Sequence, residues 1–240
     1  MKQNCIVLTG GLTGSSVLTS LIARAGYWTG DNTFKKQDYD TYENQELIKL
    51  NRKLIDESGY KGNYIMEFAN EPIRLISGMH ENIDQRPYVS FMENCNNHRP
   101  WVWKDPRLWL TIRFWKNFLD LNTVKFILLT RDNLQMWISA TLRRQIQSYE
   151  FCKNCSDGIV QSFIDFCGEN SQPYLHLLYD DLILHPEPTI AKLNEHLDTE
   201  LALEDLRTVY RNPLYKMPRS TGKFVKAGLI YLKNYSVRYK

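Results

Sequence analysis

A glycine-rich turn near the N-terminus, set between an apolar run and a helix-like segment, constrains the fold of this chain more than any other feature. Residues 6–9 are apolar or β-branched, as in a short buried strand. Residues 10–16 have the composition of a loop, and residues 17–25 carry apolar side chains at helical spacing before Gly26. A strand, a tight turn and a helix in this order predict one unit of a parallel α/β sheet.

The same turn has the composition of an anion-binding loop. Backbone N–H groups converge where such a turn enters a helix, and the helix dipole adds about half a positive charge there. Glycine lets the backbone curl and lets a phosphate approach closely. We therefore predict a phosphate-binding loop made by Gly11, Leu12, Thr13, Gly14, Ser15 and Ser16.

The nucleoside-triphosphatase version of this loop requires Gly-Lys followed by Ser or Thr. Here Ser15 follows Gly14, so the lysine that reaches the terminal phosphates of ATP is absent. The sequence therefore disfavours an ATPase or kinase, and a P-loop kinase acting on a small molecule is kept as an alternative.

Strand–helix alternation along the rest of the chain predicts the fold class. The further predicted strands lie around Val102, at residues 124–130 and at residues 175–179. The further predicted helices are residues 38–58, 108–119, 134–147 and 187–197. Residues 59–100 are polar and rich in Asn, and we predict an irregular segment that supplies a substrate lid. The alternation predicts an α/β, three-layer, P-loop-like fold with a mainly parallel central sheet flanked by helices.

Three polar clusters follow predicted strands, at residues 10–16, 104–107 and 131–133. Ligands of open α/β sheets bind outside the carboxyl ends of the strands. We therefore expect one ligand site that these three clusters share.

A second candidate phosphate anchor follows the strand predicted at residues 124–130. Arg131 comes directly after it, and Ser139 lies eight residues later on the next predicted helix. A guanidinium and a hydroxyl so placed can bind one phosphate, and the planar fork of arginine can bind it with two hydrogen bonds. Taken alone, a turn ion pair of Arg131 with Asp132 explains this segment better.

Together, these segments resemble the PAPS-dependent sulfotransferases of the bacterial type, within the P-loop sulfotransferase superfamily; PAPS is 3′-phosphoadenosine-5′-phosphosulfate. The residue 9–16 stretch is similar to the family's 5′-phosphosulfate loop, and Arg131 with Ser139 is similar to its 3′-phosphate element. Other similar stretches are Tyr42-Glu43-Asn44, Lys104-Asp105-Pro106-Arg107 and Tyr179-Asp180-Asp181-Leu182. The resemblance implies sulfuryl transfer from PAPS to a hydroxyl or amine of a glycan, lipid or small molecule. The expected product is 3′,5′-ADP, and no metal is required.

Leu12 departs from the family pattern, because many members carry Lys or Arg there to stabilise charge on the leaving oxygen. Losing a preorganised charge at such a place typically costs ~10²–10³ in rate. Lys104 is the candidate replacement, since a lysine in a similar Lys-Asp-Pro context is implicated in catalysis in tyrosylprotein sulfotransferases. Arg107 and Arg113 are second choices. A relative that binds the nucleotide without turnover is the alternative.

The resemblance also implies that Glu43 is the general base that takes the acceptor proton. His80 and His98 are alternatives, since the ordinary pKa of histidine suits proton transfer near neutral pH. One or two tryptophans are expected to stack on adenine or on a sugar ring, from the set Trp101, Trp103, Trp109, Trp115 and Trp137.

Charge is distributed unevenly along the chain. Residues 1–205 carry 21 basic and 27 acidic side chains, whereas residues 206–240 carry nine basic and no acidic ones. We predict a sulfotransferase-like α/β domain at 1–205 and a basic segment at 206–240 that packs on that domain or extends from it. The resemblance implies that Lys223 reaches the 3′-phosphate. A polyanion-binding function of this basic, aromatic segment is a weaker alternative.

The five cysteines are odd in number and scattered, which is typical of reduced thiols. Cys152, Cys155 and Cys167 lack a fourth metal ligand at a tight spacing, so we predict no metal site. No apolar run approaches the roughly 18 residues of a membrane span or resembles a signal-peptide core. We expect a cytoplasmic protein with a small-molecule or glycan acceptor, no nucleic-acid partner and no stable membrane insertion.

Overall fold

The computed structural model describes residues 2–210 and 220–239. Its strands are β1 (Asn4–Leu8), β2 (Thr33–Lys35), β3 (Asp40–Asn44), β4 (Val102–Lys104), β5 (Val124–Thr130) and β6 (Tyr174–Leu178). Its helices are α1 (Ser15–Arg24), α2 (Gln45–Glu57), α3 (Asn70–Ser77), α4 (Arg86–Asn97), α5 (Leu108–Trp115), α6 (Asn133–Leu142), α7 (Tyr149–Glu169), α8 (Tyr179–Leu184), α9 (Pro186–Leu197), α10 (Leu203–Val209) and α11 (Thr221–Lys233).

The main sheet has the strand order β4-β1-β5-β6, and all its neighbouring strands pair in parallel. Successive side chains of a strand point to opposite faces of a sheet. Accordingly, Ile6 and Leu8 of β1 join one buried apolar cluster, whereas Cys5 and Val7 join another on the opposite face. Helices cover both clusters, as a parallel sheet requires. The predicted α/β fold with a parallel central sheet flanked by helices is confirmed.

The helix predicted at residues 38–58 was wrong in its first part. Asp40–Asn44 forms β3, which pairs antiparallel with β2. The helix begins at Gln45 because the Asn44 side chain accepts hydrogen bonds from the N–H groups of Glu46 and Leu47. Thr41 is buried within this hairpin, and its neighbour Glu43 faces the site described below.

The prediction that residues 59–100 are irregular was wrong for about half of this range. Two amphipathic helices, α3 and α4, occupy 20 of these 42 residues and contribute Ile76, Tyr88, Phe91 and Cys95 to the core. Asn and Pro residues break the apolar spacing into short pieces, which concealed the helices. The longest irregular stretch of this range lies before α3, and part of it lines the site.

The basic C-terminal part of the chain contributes α11, which packs against α6. Ala227 is fully buried at this contact, and the ring of Tyr231 meets that of Trp137 edge-on at 5.6 Å between centroids. None of the helices in the described ranges is both long and apolar enough to span a bilayer.

Candidate functional site

A cavity of about 310 Å³ lies at the carboxyl ends of β1, β4 and β5. Its walls include residues 10–16 after β1, Lys104 at the end of β4, and Arg131 after β5. Glu43 from β3 and Ser139 from α6 complete the set. The structure therefore brings together the predicted loop, the arginine–serine pair and the lysine–glutamate pair, which lie far apart in the sequence.

The loop of residues 10–16 curls around the end of β1 and leads into α1. Gly14 precedes the helix with φ +80°, and Leu12 also has a positive φ of 69°. The first N–H groups of a helix have no partner within it. The backbone N–H groups of Gly11, Leu12, Gly14, Ser15 and Ser16 do not donate to a protein acceptor in the described part of the chain. This loop therefore presents a row of donors that an anion can accept from.

Gly14 is required by a close contact as well as by its backbone conformation. A Cβ atom added at Gly14 would lie 2.2 Å from Cε2 of Tyr179, whose ring is buried beneath the loop. The guanidinium of Arg131 lies over the same ring, 5.2 Å from its centroid. Tyr179 thus supports both the loop and the arginine from one side.

Replacing Gly14 with alanine is expected to weaken binding of 3′,5′-ADP by ~10–100-fold, because a non-glycine residue at this φ carries ~1–3 kcal/mol of strain and clashes with Tyr179. Isothermal titration calorimetry measures the effect. Gly11→Ala is the matched control, since a Cβ there meets nothing within 4 Å. Equal losses in the two variants would contradict the role assigned to the Gly14–Tyr179 contact.

Arg131 is fixed by two hydrogen bonds that join the loop to α6. Its Nη1 donates to the carbonyl oxygen of Leu12 at 3.1 Å and to Oγ of Ser139 at 3.2 Å. Its Nε is buried and has no hydrogen-bond partner among the described residues. Asp132 does not pair with it; instead its side chain caps α6 by accepting from the N–H of Gln135 at 3.0 Å.

Lys104 and Glu43 form a buried ion pair on another wall of the same cavity. Nζ of Lys104 donates to Oε1 of Glu43 at 2.6 Å, with 1% of the lysine side chain and 13% of the glutamate side chain exposed. Burial lowers the pKa of Lys104, whereas the charge and hydrogen bond of Glu43 act to raise it. A buried lysine with one carboxylate partner is a preorganised positive charge in a water-poor site.

The turn that carries Lys104 is held by a buried hydrogen-bond network. Asp105 accepts from Nδ2 of Asn51 at 2.9 Å and from the N–H and Nη1 of Arg107 at 2.9 and 2.8 Å. Oδ1 of Asn51 accepts from Nε1 of Trp115 at 2.7 Å. Asn51 therefore connects helices α2 and α5 to the end of β4 and positions Lys104 through Asp105.

Replacing Asn51 with leucine is expected to lower the free energy of unfolding by ~2–5 kcal/mol, because Asp105 and Trp115 each lose a buried hydrogen-bond partner. Urea unfolding measures this change. Asn97→Leu on the exposed end of α4 is the control and should change stability by less than ~0.5 kcal/mol. An unchanged midpoint for Asn51→Leu would contradict the positioning role.

Four of the catalytic and phosphate-binding candidates named from the sequence do not line the cavity, and of the five tryptophans only Trp109 lines it. His98 stacks on Trp28 with 4.7 Å between ring centroids, and His80 packs edge-on against Phe118. Arg113 donates to Glu169 and to Ser162. Lys223 lies in the first turn of α11, partly buried. Arg107 does line the cavity, but Asp105 engages it.

Sequence reasoning missed two exposed cations in the cavity wall, Lys36 on the segment after β2 and Arg143 at the end of α6. It also missed α7, whose Cys152, Cys155 and Ile159 face the cavity. The sequence does not indicate that Lys36 lines the cavity, because an exposed lysine beside a short hairpin is common. The amphipathic spacing of residues 149–169 could have indicated α7.

The two cavity cysteines are not activated nucleophiles. Burial raises the pKa of Cys152 to about 11 and that of Cys155 to about 12, so both thiols remain protonated near neutral pH. Cys167 lies in the apolar core. Across residues 2–210 and 220–239, no group of three or more His, Cys, Asp or Glu side chains could hold a metal ion.

Comparisons with solved structures find a similar fold in two sulfotransferase domains. The chain is similar to the sulfotransferase domain from the Synechococcus PCC 7002 olefin synthase, with a TM-score of 0.55, 13% identity and coverage of 95% of this chain and 94% of that chain. It is also similar to the sulfotransferase domain from the curacin biosynthetic pathway, with a TM-score of 0.51, 15% identity and coverage of 93% and 83%. No family model and no curated protein matches the sequence. At these identities the likeness establishes a shared fold.

Proposed function

We propose that this chain is a PAPS-dependent sulfotransferase that transfers a sulfuryl group to a hydroxyl or amine of an acceptor. One observation carries the proposal. A single cavity combines a glycine cradle, an Arg131–Ser139 pair and a buried Lys104–Glu43 pair. The glycine cradle and the Arg131–Ser139 pair can each bind an anion, and Lys104 adds a positive charge at the end of β4. This arrangement suits a donor that carries negative charge at both its 5′ and 3′ positions.

The residues present fit such a donor. Nε of Arg131 is buried without an acceptor among the described residues, and buried N–H groups are nearly always paired in native proteins. A phosphate oxygen would supply that acceptor, with Ser139 beside it. The loop amides of residues 11–16, with the Ser15 and Ser16 hydroxyls, would hold the 5′-phosphosulfate group.

Sulfuryl transfer resembles phosphoryl transfer, in which catalysis consists mostly of positioning and charge stabilisation. Lys104 would balance the negative charge that develops on the leaving oxygen, in place of the cation that Leu12 lacks. Glu43 binds Lys104 through Oε1, and its Oε2 has no partner among the described residues. Oε2 would take the proton of the acceptor hydroxyl.

The acceptor would lie against the apolar part of the cavity wall. Ile65 and Met66, from the irregular stretch before α3, face the cavity together with Trp109 and with Ile159 and Val160 of α7. Such walls bind aliphatic or aromatic groups better than free sugars, which need many polar partners. Among glycan, lipid and small-molecule acceptors, the cavity favours an alcohol or phenol with an apolar body.

Leu12 supports a second candidate function, nucleotide binding without turnover. Its side chain lines the cavity at the place where the resemblance implies a loop cation. In this case Lys104 and Glu43 would serve only to hold β3 against β4.

Incubation with ³⁵S-labelled PAPS and panels of aliphatic alcohols, phenols, lipids and oligosaccharides distinguishes the two functions. We expect label to move to an alcohol or phenol, and not in reactions that lack the acceptor. Binding of 3′,5′-ADP with no transfer to any panel would favour the non-catalytic function. Transfer restricted to oligosaccharides would contradict the acceptor class.

A further inference from the structure

The C-terminal helix α11 presents an apolar face that the rest of the described chain leaves uncovered. Thirteen large apolar side chains are exposed among the described residues, and six of them lie between residues 224 and 237. On α11, Val225, Leu229 and Leu232 are 54%, 65% and 69% exposed. Spacings of four and three residues put these side chains in one stripe along the helix. A concentration of exposed apolar surface on this scale marks an interaction site.

The opposite side of α11 fixes the helix on the protein. Ala227 is fully buried, and Tyr231 packs edge-on against Trp137 of α6. Beyond the helix, the hydroxyl of Tyr239 donates to Oε2 of Glu67 at 2.8 Å. The stripe formed by Val225, Leu229 and Leu232 therefore faces away from the contact between α11 and the rest of the protein.

Basic residues accompany the stripe. Lys226 and Lys233 are exposed and lie two helical turns apart, along one edge of the stripe. After Asp205 the sequence contains nine Lys and Arg residues and no acidic residue. A partner that complements this face of α11 carries negative charge next to apolar groups.

These features distinguish among the classes of partner. A second copy of this chain would bring like charges together across the stripe. A nucleic acid would pair with the lysines and leave the apolar stripe in water. An anionic bilayer matches both features, because acyl chains receive the apolar side chains while lipid phosphates pair with the lysines.

We infer that α11 is a membrane-surface helix, through which the protein docks peripherally on anionic lipid bilayers. The stripe enters the boundary between headgroups and acyl chains, and Lys226 and Lys233 contact lipid phosphates. This docking does not depend on sulfuryl transfer, since it uses a surface outside the cavity.

Vesicle flotation of the full chain tests the inference. We expect binding to vesicles of mixed phosphatidylcholine and phosphatidylglycerol, weak binding to phosphatidylcholine alone, and loss of binding as salt rises. Leu229→Ser with Leu232→Ser should lower the partition coefficient by ~10-fold or more. Lys226→Gln with Lys233→Gln should lower it by ~25-fold, about fivefold for each lysine.

The matched control is Leu75→Ser with Leu184→Ser, because these leucines are 42% and 46% exposed but lie outside α11. This control should bind vesicles as the unmodified chain does, and thermal unfolding confirms that each variant folds. Absent binding to anionic vesicles, or equal binding to both vesicle types, overturns the inference. A dimer that Leu229→Ser with Leu232→Ser dissociates also overturns it, by assigning the stripe to a second copy. Binding of an RNA oligonucleotide, without binding of vesicles, would also overturn the inference.

Discussion

Replacing Lys104 with alanine is expected to lower the rate of sulfuryl transfer by ~10²–10³, because the variant lacks the preorganised positive charge beside the leaving oxygen. The affinity for 3′,5′-ADP should change little, since the proposed phosphate contacts are made by residues 10–16 and Arg131. Single-turnover transfer of labelled sulfate measures the rate, and calorimetry measures the affinity. A split between a large loss of rate and a small loss of affinity is the signature of a group that acts in the transition state.

The pH dependence gives a second readout for Lys104. Burial lowers its pKa and the Glu43 carboxylate raises it, so the protonated form is lost at a lower pH than for an ordinary lysine. The rate should therefore decline on the alkaline side as Lys104 loses its proton. Glu43→Gln removes the main attraction that raises the pKa of Lys104, so its alkaline decline should move to a lower pH, in addition to an overall loss of rate.

Thermal unfolding and two further variants serve as controls for Lys104→Ala. Lys104→Ala leaves the carboxylate of Glu43 without its partner, and breaking a buried pair costs ~3–5 kcal/mol, so thermal unfolding accompanies the assay. Lys104→Arg keeps the charge and should retain more activity than Lys104→Ala. Lys36→Ala removes an exposed lysine of the same cavity and should reduce the rate by less than ~10-fold. Full activity in Lys104→Ala, or a larger loss in Lys36→Ala, would exclude Lys104 as the stabilising cation.

Replacing Arg131 with alanine should remove the preference for 3′,5′-ADP over AMP. Hydrogen bonds to charged groups contribute ~1.5–3 kcal/mol, so the affinity for 3′,5′-ADP is expected to fall by ~10–100-fold. The affinity for AMP, which lacks the 3′-phosphate, should fall much less. Calorimetry with both nucleotides measures the two affinities side by side.

The bond from Arg131 to the Leu12 carbonyl complicates this variant, because its loss also loosens the loop. Ser139→Ala avoids that effect, since it removes only the hydroxyl and should weaken 3′,5′-ADP binding by ~3–10-fold. Arg144→Ala removes an exposed arginine that does not line the cavity, and it should leave both affinities unchanged. If Arg131→Ala weakens AMP and 3′,5′-ADP equally, Arg131 does not bind the 3′-phosphate.

Much of the fold could be predicted because buried strands have a strong local signal. The apolar run at residues 124–130 matches β5, and residues 6–9 overlap β1. The polar hairpin strand β3 could not be predicted in this way, because Asp40–Asn44 has no apolar alternation and gains its pairing from β2. Helices α3 and α4 were missed because tertiary packing of a few apolar side chains stabilises them.

The residues of the candidate site also differ in how clearly the sequence indicates them. Residues 10–16 form a contiguous turn that local spacing indicates, whereas Arg131 and Ser139 were indicated only by the family resemblance. The pairing of Glu43 with Lys104 joins positions 61 residues apart and follows from the packing of β3 beside β4. Lys36 and Arg143 reach the cavity only through the fold around them.

Calorimetry with 3′,5′-ADP, AMP and ATP–Mg²⁺ tests most directly whether this cavity binds a 3′-phosphorylated adenine nucleotide. The expected result is binding of 3′,5′-ADP in the absence of metal, at least ~10-fold tighter than binding of AMP. Binding of ATP–Mg²⁺ should be weaker, because the loop has no lysine after Gly14. Equal affinities for AMP and 3′,5′-ADP, or a preference for ATP–Mg²⁺, would contradict the assignment of the cavity to PAPS.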